Sequence, residues 1–264
     1  MLTNTQALFA AVVKAEKADC ICDIGSRDGA QSLFFRRLCP CAVVLAFEAN
    51  PINFRKMAAN PQLTAQGVRV LPYAVAAAHG TAPFHVIDVN YEDPRENTGI
   101  SSLLVHEGLK VKQTVMVEMR RVDDVVMEEH PTAKSVGLWI DVEGAEFGVL
   151  QGMERIQDRV VALHVETARR PLRLGQRTYD EVARLLAGWG FRPAGTNMRA
   201  SSDWGDVVFV SDLVRARLGW RWGLCRLKGY AGHWFRAGEI AVFLKTRCPW
   251  LYRALRNLYI RFGT

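Results

Sequence analysis

The chain has 264 residues, 49% of them hydrophobic, which suits one α/β domain with a real core plus an appendage. No run of 18 uninterrupted apolar residues occurs, which argues against a membrane-spanning helix. The net charge of +7 is uneven: residues 211–264 hold eleven Lys or Arg against Asp212 and Glu239, so the first 210 residues are slightly acidic.

The first expected element is a short amphipathic helix over 5–17, where Lys14, Glu16 and Lys17 follow the apolar stretch 7–13. That start lacks a basic leader and reads as cytoplasmic, not as a signal peptide. Ile21–Ile24 is an expected buried strand, and 30–38 a helix with Leu33, Phe34 and Leu38 facing inward. Residues 42–47 form a second strand, and Pro51 starts a helix reaching Ala59, at a position where its missing N–H does no harm. Residues 68–71 form a third strand. Between 74 and 120 the rhythm breaks: 84–87 and 115–119 alternate like strands, and the polar loop 90–102 between them has the length of a lid or binding segment. Helix 123–129, strand 136–141, helix 146–153 and strand 160–165 resume the alternation. A helix over 179–188 and strands near Phe191 and over 207–210 complete it. Repeated βαβ units imply a mostly parallel sheet covered on both faces.

Six cysteines occur, four of them as Cys20-x-Cys22 and Cys39-Pro-Cys41, with no further ligand nearby at metal spacing. Cys20 and Cys22 are expected as small core hydrophobes in the first strand.

Two segments carry the chemistry. Asp23-Ile24-Gly25-Ser26-Arg27-Asp28-Gly29 ends the first strand, and Trp139-Ile140-Asp141-Val142-Glu143-Gly144-Ala145-Glu146 ends a later one. Strands that deliver acids and glycine to their C-terminal ends place a ligand crevice on that edge. Gly25 allows a tight turn, and Gly29 is expected to let backbone approach a ligand at a helix N-terminus. The spacing is Asp-x-Gly-x-x-x-Gly, distinct from the dinucleotide fingerprint and from a phosphate-binding loop. Asp23 would repel a pyrophosphate and attract an ammonium group. Glu48, about 20 residues past the turn and at the end of the second strand, can accept hydrogen bonds from both ribose hydroxyls. Together they fit a cationic nucleoside without phosphates, and S-adenosylmethionine answers that description. The expected cofactor set is Asp23, Gly25, Ser26, Gly29, Glu48, Ala49, Ala74 and Asp141.

With 23–29, 47–51 and 141–146 in view, the chain resembles the FkbM family of S-adenosylmethionine-dependent methyltransferases over about residues 20–210. Ser101-Ser102-Leu103, Arg121-Val122-Asp123-Asp124 and Gly205-Asp206-Val207-Val208-Phe209 add to the likeness, and Asp-Val-Glu-Gly-Ala-Glu is its most specific piece. The resemblance implies a Rossmann-like class I methyltransferase fold and O-methylation of an alcohol, often on a sugar, lipid-linked glycan or polyketide. Many members carry Lys where Trp139 stands, so a charge-based role at that position does not transfer.

Methyl transfer from a sulfonium is an in-line displacement that needs alignment and, for an aliphatic hydroxyl, a general base. Candidates are Asp141, Glu143, His164 and Glu166, with Asp141 first. Glu143 has an alternative role as a cap for the following helix, and His164 as a hydrogen-bonded core residue. His79, in a turn before Gly80, is a further candidate base. A divalent ion held by Asp141, Glu143 and Glu166 is a metal-assisted alternative that the residues allow without favouring it.

Beyond Ser211 the composition changes. The tail contains Trp220, Trp222, Trp234 and Trp250, and a helix over 249–262 would set Leu251, Leu255, Leu258, Tyr259 and Phe262 against Arg253 and Arg256. The expected organisation is a methyltransferase domain over 1–210 and a basic, aromatic-rich helical extension over 211–264. Three partners suit the extension: an anionic membrane surface on the cytoplasmic side, the domain itself or a second subunit, and a polyanion such as RNA. The leading functional expectation is a methyltransferase acting on a hydroxyl of a glycan, glycolipid or secondary metabolite. Its rivals are a catalytically idle cofactor-binding scaffold and an RNA methyltransferase. No Asn-Pro-Pro-Tyr-like segment supports the last.

Overall fold

The computed structural model describes residues 2–93, 95–236, 249, 250 and 253. Helix α1 (Thr5–Ala15) leads into strand β1 (Cys20–Ile24), helix α2 (Ala30–Leu38), strand β2 (Val43–Phe47), helices α3 (Pro51–Ala58) and α4 (Pro61–Ala65), and strand β3 (Arg69–Leu71). Strands β4 (Ala74–Val75), β5 (Gly80–Ile87) and β6 (Val111–Arg120) follow, then helix α5 (Val122–Glu129), strand β7 (Val136–Ile140) and helix α6 (Glu146–Gln151). A 3-10 turn at Glu154–Arg159, strand β8 (Val160–Ala168), helix α7 (Tyr179–Gly188), strands β9 (Phe191–Thr196) and β10 (Trp204–Ser211), and helices α8 (Asp212–Leu218) and α9 (Trp220–Arg236) complete the described chain.

Seven strands form the central sheet in the order β3-β2-β1-β7-β8-β10-β9. Every pairing from β3 to β8 is parallel, whereas β10 runs antiparallel to both β8 and β9. The chain thus has the Rossmann-like class I methyltransferase arrangement, with the reversed β10 inserted beside the parallel strands. β1 is buried along its whole length, as strands covered on both faces must be, and Cys20 and Cys22 pack there with Leu45, Leu138 and Leu163. The five described cysteines are all free.

One face of the sheet is covered by α1 and α2 through Phe9, Val13, Leu33 and Phe35, and the other by α5, α6 and α7 through Val125, Val149 and Leu186. In α2 the inward residues are Leu33 and Phe35; Phe34 and Leu38 are only half-buried, because the helix turns Ser32 and Phe35 to the sheet. Residues 74–120 form a separate three-stranded sheet in the order β4-β6-β5, with its own cluster of Ala74, Phe84, Val86, Tyr91 and Val117. That sheet stands beside α3 and supplies one wall of the cleft described below.

The described part of the tail is not a detached appendage. α9 lies along α1, with Cys225 buried and its Sγ donating to the Ala11 carbonyl at 3.6 Å. The Asn4 N–H donates to the Gly229 carbonyl at 2.9 Å, Arg221 donates to the Ala15 carbonyl at 3.0 Å, and Arg217 pairs with Glu16. The helix expected over 249–262 lies outside the described residues except for Pro249, Trp250 and Arg253, as does the side chain of Trp234.

Candidate functional site

A cleft of about 520 Å³ opens at the C-terminal edge of the central sheet, between the ends of β1, β2 and β7 and the smaller sheet. Gly25, Glu48, Ala49, Ala74 and Asp141 line it, which brings five of the eight expected cofactor residues together. Asn50 and Asn53 of the α3 start and Thr98, Gly99 and Ser101 of the long loop line it too. Sequence reasoning missed the two asparagines as wall residues. Their signal was Asn50-Pro51, in which Asn50 Oδ1 caps α3 through the Ile52 N–H at 3.0 Å and leaves its amide nitrogen free to reach across. Asn50 donates to Tyr91 Oη at 2.9 Å, and Asn53 donates to the Thr98 carbonyl at 3.1 Å. These bonds, with the Ser102 hydroxyl donating to the Val142 carbonyl at 3.3 Å, hold Tyr91, Thr98 and Ser102 against the cleft.

Glu48 is buried at the end of β2, and its two carboxylate oxygens accept the Arg27 and Asn50 N–H groups, each at 2.7 Å. Burial raises its carboxyl to about 7 against the pull of those bonds. Each oxygen keeps a lone pair after its backbone bond, so the group can still accept from two vicinal hydroxyls.

Three expected cofactor residues stand elsewhere. Asp23 does not line the cleft: it is buried in β1 beneath the turn, where its Oδ2 accepts from the Ser26 hydroxyl at 2.6 Å and from the Ser32 hydroxyl. Burial lifts its carboxyl to about 6. An acid inside a strand that is covered on both faces needs such partners, so Asp23 and Ser26 brace the turn. Gly29 starts α2 at φ 78°, and a Cβ there would lie 2.7 Å from Leu63 Cδ1. Its bareness admits Leu63 of α4 where a ligand was expected.

Asp141 follows β7 and closes the cleft on the other side. Its backbone N–H donates to the Ile24 carbonyl at 2.9 Å, which locks the ends of β1 and β7 together. Carboxylate oxygens of Asp141, Glu143 and Glu166 all lie within 4.8 Å of one another. Asp206, directly across β8–β10 from Glu166, adds a further negative group. The surrounding protein, and then the neighbouring Glu143 and Glu146, push the Asp141 carboxyl up to about 8, although its side faces the open crevice. Burial and then Asp141 push Glu166 up further, to about 10. Glu143 sits at φ 57° and pairs with the buried Arg173, reaching in from the loop after β8. It does not cap α6, which has no side-chain cap; Glu146 instead folds back on the turn before the helix, with Oε1 accepting the Gly144 N–H at 2.8 Å.

His164 lies beside these acids, its Nε2 3.9 Å from Asp206 Oδ2. It is only 2% exposed, bonded through Nε2 to Thr5 Oγ1 at 3.1 Å, and stacked on Trp139 with ring centroids 3.4 Å apart. Burial lowers its pKa to about 3, which removes it from the candidate bases and makes it a neutral wall. Trp139 is half-buried on that same wall. His79 pairs with Asp124 at the surface at 2.7 Å and does not line the cleft.

Carboxyls held above their ordinary range make stability depend on pH with a definite sign. In the unfolded chain these groups titrate near 4, whereas Asp23, Glu48, Glu146 and Asp141 keep protons to about 6, 7, 7 and 8 when folded. The folded state therefore binds more protons, and stability falls as pH rises through that window. Thermal midpoints of the ligand-free protein should decline from pH 5 to pH 8, and Glu48→Gln should flatten part of the decline. A midpoint that rises over this range would contradict the burial assigned to these acids.

The chain resembles known proteins over this same region. The sequence model of the FkbM methyltransferase domain matches residues 23–193. Methyltransferase sdnD of Sordaria araneosa is 32% identical over 159 residues, which cover 51% of this chain and 60% of that protein. The chain thus spans less than two thirds of that relative's length. Among solved structures, magnesium protoporphyrin IX methyltransferase of Synechocystis PCC 6803 with bound SAM overlays at TM-score 0.39 and 11% identity, covering 73% of this chain and 69% of that one. The precorrin-6y C5,15-methyltransferase of Geobacter metallireducens GS-15 overlays at TM-score 0.38 and 13% identity, covering 76% and 86%.

Proposed function

The chain belongs to the FkbM methyltransferase family, and from that premise we propose that it transfers the methyl group of S-adenosylmethionine to a hydroxyl of a glycan, glycolipid or secondary metabolite. The observation that carries this reading is the double position of Asp141, at once a wall of the cleft and a member of the acid trio. A cofactor bound in the cleft would then lie beside the group that receives the acceptor's proton.

The cleft fits the cofactor in kind. Glu48 offers acceptors for ribose hydroxyls, and Phe84 and Leu103 give apolar cover. When bound, S-adenosylmethionine supplies an electrophilic methyl on a sulfonium. The chain's own part is alignment and proton removal. Asp141 takes the hydroxyl proton, Glu143 and Glu146 supply the negative field that raises Asp141, and Arg173 holds Glu143 in place.

A second cavity, of about 630 Å³, supports a neutral acceptor. Thr5, Gln6, Gln31, Trp139, His164, Asn197 and Asp206 line it, and it meets the acid trio at Asp206, the cross-strand partner of Glu166. No Lys or Arg is among its lining residues, and His164 stays neutral. Amide and hydroxyl groups around an aromatic floor suit a hydroxyl-rich ligand better than a phosphate backbone.

The test uses methyl-labelled cofactor with panels of polyols, glycolipids and hydroxylated polyketides. Label should enter a product that survives mild base, as an ether does and a carboxyl ester does not. Label that base releases, or that enters only RNA, would overturn the hydroxyl assignment. Cofactor binding without transfer to any class would favour the idle scaffold.

A further inference from the structure

Among the described residues, α9 is apolar on two sides, and only one of them is covered. Cys225 and Gly229 are buried against α1. Trp220, Leu224 and Leu227, spaced i, i+4 and i+7 on the opposite side, are 78%, 49% and 61% exposed, and Leu213 of α8 is 76% exposed. Large apolar groups left in water as one stripe mark a docking face.

The charges around the stripe indicate its occupant. Exposed Arg221 and Arg226 and half-buried Lys228 share α9 with it, and Asp212 is the only acid in α8 or α9. A second copy docking through this face would bring the same cations together, which is unfavourable. An anionic surface removes that conflict. Trp and Leu side chains would enter the boundary between headgroups and acyl chains, while guanidinium groups meet the headgroups on their long stems. Among the described residues no helix is long and apolar enough to cross a membrane, so such a contact is in-plane.

We propose that the exposed face of α9, through Trp220, Leu224 and Leu227 with Arg221 and Arg226 beside them, docks the protein onto an anionic lipid bilayer. The anchorage of α9 on α1 fixes the stripe relative to the catalytic edge, so the enzyme would sit on the membrane in one orientation.

Sedimentation of the full chain with phosphatidylcholine vesicles, with and without phosphatidylserine, tests this. Binding should strengthen with phosphatidylserine, and that gain should fade as salt shortens the screening length. The triple variant Trp220→Ser, Leu224→Ser, Leu227→Ser should lose at least about tenfold in partitioning, since burial of even one large apolar side chain is worth that much. It should keep its circular dichroism and thermal midpoint, because these side chains lie in solvent. Arg221→Gln with Arg226→Gln should lose only the phosphatidylserine-dependent part. The proposal is overturned if the wild-type chain stays in the supernatant, or if the triple variant pellets as well as wild type. It is equally overturned if gel filtration gives a dimer that the triple variant dissociates while neither form binds vesicles, since a second copy would then cover the stripe.

Discussion

Gly25→Ala is expected to abolish S-adenosylmethionine binding and to destabilise the fold, in a calorimetric titration run beside a thermal melt. Gly25 has φ 87°, and a Cβ there would fall 1.8 Å from the backbone carbonyl oxygen of Asp141 and 2.8 Å from its carbonyl carbon. That overlap involves backbone on both sides, so no rotamer relieves it. The ends of β1 and β7 would have to separate, breaking the bond from the Asp141 N–H to the Ile24 carbonyl and the bonds from the Gly25 and Ser26 N–H groups to the Phe47 carbonyl. Overpacking and a forced left-handed residue together cost on the order of 3 kcal/mol. The same shift displaces one wall of the cleft and the lead catalytic acid. Gly67→Ala is the control: φ is 68° and nothing lies within 4 Å of the added carbon, so only the backbone term of about 1 kcal/mol applies. If Gly25→Ala bound cofactor as tightly as Gly67→Ala, the close approach of the two strand ends would not be what shapes the site.

The contrast between these two glycines also shows where sequence reading stops. That Gly25 ends a strand and opens a turn is legible from Asp23–Gly29. Periodicity gives the central strands and helices to within three residues, β8 running three past its expected end and β10 starting three before its expected start. The reversal of β10 is invisible to that reading, because Val207–Val210 alternates or runs apolar in the same way whichever direction the strand takes. α4 carries the signal that announces α3, since Asn60-Pro61 repeats Asn50-Pro51, and each asparagine caps its helix through its own side chain. Five residues are too few for a helical period to show. Partners across the chain are harder still. Asp23 reads as a cofactor acid from its place after an apolar run, and only the tertiary structure reveals Ser32 closing over it. His164 and Trp139 lie 25 positions apart, yet adjacent parallel strands in register place them face to face. The tail divides similarly: its basic, aromatic composition is plain in the sequence, whereas which face of α9 meets α1 depends on Cys225 and Gly229 fitting a surface built by the first helix.

Asp141→Asn is expected to lower kcat by about 10²–10⁴-fold with little change in cofactor affinity, the span that a positioned general base contributes. Asparagine keeps the shape and the backbone bond to Ile24 but cannot take a proton. The loss should therefore fall on kcat more than on KM. The pH profile separates this role from a structural one. The surrounding protein, Glu143 and Glu146 hold the Asp141 carboxyl up to about 8, although its side faces the open crevice. A base must be deprotonated to act, so kcat should rise with pH through that value. Glu143→Gln removes a nearby negative charge and leaves the Arg173 guanidinium without its partner, and both changes favour the ionised form of Asp141. The rising limb should consequently move to lower pH in Glu143→Gln, even if the maximal rate falls. A limb that stays in place would mean that the titrating group is neither Asp141 nor Glu166, because Glu143 raises both. Chelation discriminates the remaining alternative. Activity that disappears on exhaustive chelation and returns with a divalent cation would make Asp141, Glu143 and Glu166 ligands, since their oxygens lie within 4.8 Å of one another. In that case Asp141→Asn would lower metal affinity along with turnover, and added cation would restore part of the rate, an outcome the general-base role does not allow.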